Sequence, residues 1–141
     1  MRDLMNQLHF KPAFAPAAAV TDNTAQVSTI LDVYGYGSAV LAFVTGTLTD
    51  VDATFAVTFN ESNDPAMAGA NAVAATDMTG TTALAGFNFA DDIECRKIGY
   101  IGSKRYIQAT ITPSNNTGNL FVAGMWVQGH PATAPTANPP Q

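Results

Sequence analysis

Charge is what this sequence has least of. Only 12% of its 141 residues are Asp, Glu, Lys or Arg, where a globular domain commonly carries about 25%. Thr, Asn and Ser fill the polar positions instead. So weakly charged a surface is poorly defended against association, so part of it is expected to be covered by other copies or by another protein. Cysteine is nearly absent. The single Cys95 excludes an internal disulfide and fits synthesis in a reducing cytoplasm. No window holds the ~20 apolar residues of a membrane span, so no membrane partner is expected. The opening MRDLMNQLHFKPAF has acidic and amide residues where a signal peptide needs an unbroken apolar run. Cations are few as well: six Lys and Arg against eleven Asp and Glu give a net charge of −5. That disfavours nucleic acid as a partner, because phosphate binding needs a basic face.

Scarcity also limits the chemistry. There are two histidines, His9 and His130, and both fall in terminal segments ill suited to positioning a proton transfer. His9 is expected to pack its ring in an interface and His130 to cap a strand end. Two distant histidines and one cysteine give no zinc spacing. The oxygen-rich stretches Asp50–Asp52, Asn60–Asp64 and Asp91–Glu94 lack the spacing of a calcium loop, and turn chemistry accounts for their Asp and Asn content. Gly35-Tyr36-Gly37 has no third glycine and opens no helix, so it is not a dinucleotide loop. Arg96 and Lys97 flank Cys95 and would lower a thiol pKa, but the position reads as a buried, inert strand thiol. No enzyme activity, cofactor or metal is expected.

What is present is short strands. Ala53–Asn60 alternates cleanly, with Ala53, Phe55, Val57 and Phe59 against Thr54, Ala56, Thr58 and Asn60. Ala39–Thr45 is an almost continuous apolar run, the mark of a buried strand. Val27–Val33, Gly86–Ala90 and Glu94–Tyr100 read as further strands. Ala66–Ala75 is ambiguous between a strand near Asn71–Ala75 and a helical turn. Gly99–Pro131 reads as a β-hairpin. Its first strand, Arg105–Thr112, is half-buried, with Ile107, Ala109 and Ile111 on one face. Its second, Leu120–Val127, is apolar on both faces and reads as fully buried, with Trp126 in the core. The breaker-rich Pro113–Gly118 joins them. No segment has the length and caps of a substantial helix.

The expectation is therefore an all-β chain: a single antiparallel β-sandwich of about eight strands over residues 26–130, with extended arms at both ends. Periodicity does not fix its winding. Residues 1–25 form the N-terminal arm, where Pro12, Pro16 and Ala17–Ala19 break any clean period. Residues 131–141 form a Pro-rich C-terminal tail that cannot bury enough to fold alone. Leu4, Leu8, Phe10 and Phe14 either anchor the arm on a neighbouring subunit or fold back on the chain's own sandwich. Lys104 and Arg105, in the cation cluster with Arg96 and Lys97, read either as a solvated hairpin end or as a contact with an acidic protein partner.

Several stretches, in order, resemble a known family. They are Leu31-Asp-Val-Tyr-Gly-Tyr36, Phe59-Asn-Glu-Ser-Asn-Asp64, Gly99-Tyr100, Lys104-Arg-Tyr106, Ile111-Thr-Pro113, Gly118 and Val127-Gln-Gly-His-Pro131. Across residues 25–131 the chain is similar to the capsid cement, or decoration, proteins encoded beside the major capsid genes of tailed bacteriophages. The resemblance implies a jelly roll and a non-enzymatic virion protein. It implies a position on the outer surface of the phage head, commonly as a homodimer, bridging and stabilising neighbouring copies of the major capsid protein. The competing expectation is a glycan-binding or adhesion β-sandwich module, with Tyr34 and Tyr36 as its exposed aromatics. A small hydrolase built on distant carboxylates is a third reading.

Overall fold

A computed structural model describes residues 3–140 and shows a two-sheet antiparallel β-sandwich. After a 3-10 turn at Met5–Gln7, the strands in chain order are β1 (Leu8–Phe14), β2 (Gln26–Val27), β3 (Leu31–Asp32), β4 (Tyr36–Leu48), β5 (Thr54–Ser62), β6 (Asn71–Ala72), β7 (Met78–Thr79), β8 (Phe87–Asn88), β9 (Cys95–Tyr100), β10 (Tyr106–Ser114) and β11 (Leu120–Pro131). A single helical turn, α1 (Thr82–Ala85), precedes β8, and the Thr81 side chain caps it by accepting from Leu84 N–H.

Sheet A runs β1-β11-β4-β9-β7, and sheet B runs β2-β10-β5-β6, with β3 also on β10 and β8 also on β5. Treat β2 and β3 as one interrupted strand, and β6 and β8 as another. The first strand then pairs with the last, β1 with β11. The second pairs with the seventh, β10. The third, β4, pairs with the sixth, β9. The fourth, β5, pairs with the fifth. This nested ladder, folded across two sheets, is the winding of a jelly roll.

Two expectations change here. Residues 8–14 are not arm: they are the first strand of the roll, at the edge of sheet A beside β11. A register shift between Pro12 and Phe14 breaks the alternation that sequence periodicity relies on. Phe10 points out of the sandwich, while Ala13 and Phe14 enter the core. Phe14 finds room because Gly124 opposes it; a Cβ there would lie 2.8 Å from the Phe14 ring and 2.9 Å from Phe43. Nor is the closing unit a hairpin. β10 lies in sheet B and β11 in sheet A, so residues 115–119 cross between sheets. Asn116, buried in that crossing, donates to the carbonyls of Val20 and Asp22 and holds it in place. The C-terminal tail bends back over the N-terminal segment, where the Thr136 N–H donates to the Asn6 carbonyl.

The core lies between the sheets. Leu41, Ile98, Ile107, Ile111, Leu120 and Trp126 are inaccessible to solvent. Phe55 and Phe87 stack at 4.7 Å between ring centroids, and Phe59 packs on Trp126. Burying such side chains contributes roughly 1.5–3 kcal/mol each. As expected, Trp126 is core, and its indole N–H donates to the Thr29 carbonyl at 3.1 Å.

Candidate functional site

The two outer faces of the sandwich differ. On sheet B, β5 shows solvent Thr54, Ala56, Thr58 and Asn60, and β10 shows Tyr106, Gln108, Thr110 and Thr112. All of these positions except Ala56 are polar, as an exposed face of an antiparallel sheet ordinarily is, and Val27 of β2, beside Thr110, is the exposed apolar residue of this face. On sheet A the outward rows are apolar. Phe10, Val127 and Val40 lie side by side across β1, β11 and β4. Pro12, Met125, Ala42 and Lys97 form the next row, ending on β9. Ala123, Val44 and Cys95 form a third. Phe10 and the second and third rows, together with Pro16 and Pro140, line a shallow groove of about 1100 Å³, and Val127 and Val40 continue the apolar face beside it. Met125, Val44 and Phe10 remain 47%, 39% and 38% exposed.

β11 therefore reads as apolar on both faces for two separate reasons. Trp126 and Leu120 face the core, whereas Ala123 and Met125 line an open groove and Phe121 is exposed beyond it. Cys95 is likewise corrected. It does lie in a strand, but its side chain faces outward and is exposed, because the inward positions of β9 belong to Arg96, Ile98 and Tyr100.

The other predicted residues scatter. Leu4 is exposed and Leu8 half-buried; Phe10 lines the groove with its exposed ring, and Phe14, which borders it too, is buried in the chain's own core. His9 is buried and stacks on Tyr36 at 5.5 Å. His130 stands next to the end of β11, its Nδ1 3.0 Å from the Ser38 hydroxyl.

Lys104 and Arg105 are neighbours in sequence with separate roles. The Tyr100 hydroxyl accepts from the Lys104 N–H at 2.8 Å. The Arg105 guanidinium makes a two-pronged contact with Asp32, at 3.0 and 2.8 Å, and lies between the rings of Tyr34 and Tyr106. Hydrogen bonding from Arg105 holds the Asp32 carboxyl below its ordinary pKa. Tyr34, 75% exposed, is the prominent aromatic of this end of the sandwich.

The oxygen-rich loops are explained by local bonding. Asp50 accepts from the Thr117 N–H and hydroxyl at 2.6 and 2.8 Å. Asp64 accepts from the Ala66 N–H. Asp91 and Glu94 clasp Arg96 at 2.7 Å each, and that guanidinium also donates to the carbonyls of Leu84 and Gly86. Among the described residues no cluster of His, Cys, Asp and Glu is arranged to hold a metal ion. No helix there is long and apolar enough to cross a membrane.

No protein-family model matches the chain. No curated protein is significantly similar to it. Some solved structures show a loose likeness to it. A xylan-binding module described as CBM15 is similar over 94% of this chain and 96% of its own, at 8% identity and a TM-score of 0.43. The Clostridium thermocellum xylanase 10B fragment, with CBM22-1 and GH10 modules, is similar over 95% of this chain at 11% identity and a TM-score of 0.43. Dimeric latent PorU from Porphyromonas gingivalis is similar over 88% of this chain, at 8% identity and a TM-score of 0.39. The chain spans only 28% and 12% of the latter two. Likeness of this degree concerns the sandwich and names no ligand for this chain.

Proposed function

We propose that this chain is a non-enzymatic decoration protein that binds the outer surface of an icosahedral phage capsid and stabilises it by bridging neighbouring major capsid subunits. The observation that carries the docking part of this reading is the contrast between the polar outer face of sheet B and the apolar outer face of sheet A. An apolar patch held open on a sheet of ordered strands is the surface of a protein that docks. The ordered run of family-like stretches across residues 25–131 is what supports a phage capsid as the partner. Many copies acting in parallel allow a modest contact per copy to reinforce a shell substantially.

A second reading, a glycan-binding module, draws on Tyr34 beside Arg105 and Tyr106. Sugar recognition combines an aromatic platform with polar groups, and that end of the sandwich has both, whereas the groove on sheet A is mostly apolar, with Lys97 its exposed cation. The test is co-sedimentation with expanded and unexpanded shells, run beside a glycan array. Capture by shells that survives Tyr34→Ala supports decoration. Capture by neither kind of shell, with array binding lost in Tyr34→Ala, overturns it in favour of the glycan reading.

A further inference from the structure

The groove on sheet A carries a charge bias that constrains its occupant. The chain is acidic overall, yet Lys11, Arg96 and Lys97 border this groove and no carboxylate of a described side chain does; Lys11 and Arg96 do so from inward register positions, opposite Trp126 and Phe43. Arg96 is neutralised by Asp91 and Glu94. Lys11 shares the field of Asp32. That leaves Lys97, exposed at the end of the Pro12–Met125–Ala42 row, with no ion pair among the described residues.

We infer that the occupant is an apolar segment of a different protein that sets a carboxylate against Lys97. The inference rests on the reading of this face as the docking surface and adds the chemistry of what docks there. A second copy of this chain, packed face to face, brings a further cation and offers no carboxylate from the described side chains of the same groove. Nucleic acid and anionic lipid are opposed by the net charge of −5, and a phosphate backbone gains nothing from an aliphatic floor. A carboxylate beside Lys97 gains from the apolar surroundings, which reduce screening and make the pair selective.

The experiment uses the full-length protein on an array of immobilised 12-residue peptides. All share one aliphatic composition and carry two Glu, two Gln or two Lys. The Glu set is expected to retain the protein at least about tenfold better than the Lys set, the margin of one favourable charge pair. Lys97→Arg keeps that preference and Lys97→Glu reverses it. Equal retention, absence of retention, or a preference for the Lys set overturns the inference. So does binding to phosphatidylserine vesicles or to a DNA oligonucleotide that Lys97→Glu removes. Sedimentation velocity over a rising concentration series gives a monomer at this face; a dimer that Val44→Asp dissociates overturns the inference in favour of a second copy. Shell capture undiminished in Lys97→Glu sinks this inference and leaves the decoration reading intact. A Glu preference on peptides without shell capture does the opposite.

Discussion

The Tyr100 hydroxyl donates to the Glu61 carboxylate at 2.7 Å, joining β9 of sheet A to β5 of sheet B. The same oxygen accepts from the Lys104 N–H, so one phenol also fixes the point where the chain leaves sheet A for sheet B. Tyr100→Phe removes both bonds and leaves the ring in place. The expected cost is about 1.5–3 kcal/mol, the range for a hydrogen bond to a charged group, read as a lowered urea midpoint with an unchanged slope.

Tyr100 also gives the fold an alkaline limit. Burial first, and the Glu61 carboxylate second, hold its phenol well above the ordinary tyrosine pKa. The folded protein therefore keeps a proton that the unfolded chain releases from about pH 10. The stability this group contributes is full below that pH and declines as the pH rises beyond it. Wild type should lose stability between neutral pH and pH 11 more steeply than Tyr100→Phe; parallel profiles would contradict the assignment.

At the acid end the sign reverses. Hydrogen bonds from the Thr117 N–H and hydroxyl lower the Asp50 pKa from 3.8 to about 2. Its contribution is present above pH 3.8 and fades as the pH falls toward 2. Asp50→Asn should flatten this part of the acid-unfolding curve, followed by Trp126 fluorescence.

Deleting residues 1–14 separates a strand from an arm. A dispensable arm would leave the sandwich intact. Here the deletion removes β1 from the flank of β11, where Lys11 stands opposite Trp126, and takes Ala13 and Phe14 out of the core. The expected result is lost cooperativity of unfolding and red-shifted Trp126 emission. A truncated protein with native emission and an unchanged midpoint would restore the arm reading.

Much of the sandwich was legible because most long strands keep a strict period of two. β5 and β10 present Phe55, Val57, Ile107 and Ile111 to the core at every second position. β1 was hidden by its bulge, which puts Phe10 outside and Phe14 inside although both sit at even spacing. The crossing between β10 and β11 was hidden because turn residues such as Asn115–Gly118 serve a hairpin and a sheet-to-sheet crossing equally. The groove was half legible. The doubly apolar β11 signalled it, but an apolar outward face and a buried face look alike in a sequence. Pairing Met125 with Ala42 and Ala42 with Lys97 requires the register.

Arg105 illustrates how a predicted contact can be satisfied internally. Its pair with Asp32 is substantially exposed, so Arg105→Ala should cost no more than about 1 kcal/mol. The clearer signal is the Asp32 carboxyl, whose pKa should rise toward its ordinary value by NMR titration. Lost shell capture in this variant would mark Arg105 as a docking residue.

The most direct measurement uses the chain's only thiol. Cys95 is exposed on the outer face of sheet A, beside Val44. Its alkylation by iodoacetamide is to be timed in the free protein and in protein bound to expanded phage shells. If sheet A is the docking face, bound protein reacts at least about tenfold more slowly, because a covered thiol is inaccessible to reagent. Shell-bound protein that is alkylated as fast as free protein would contradict docking through this face.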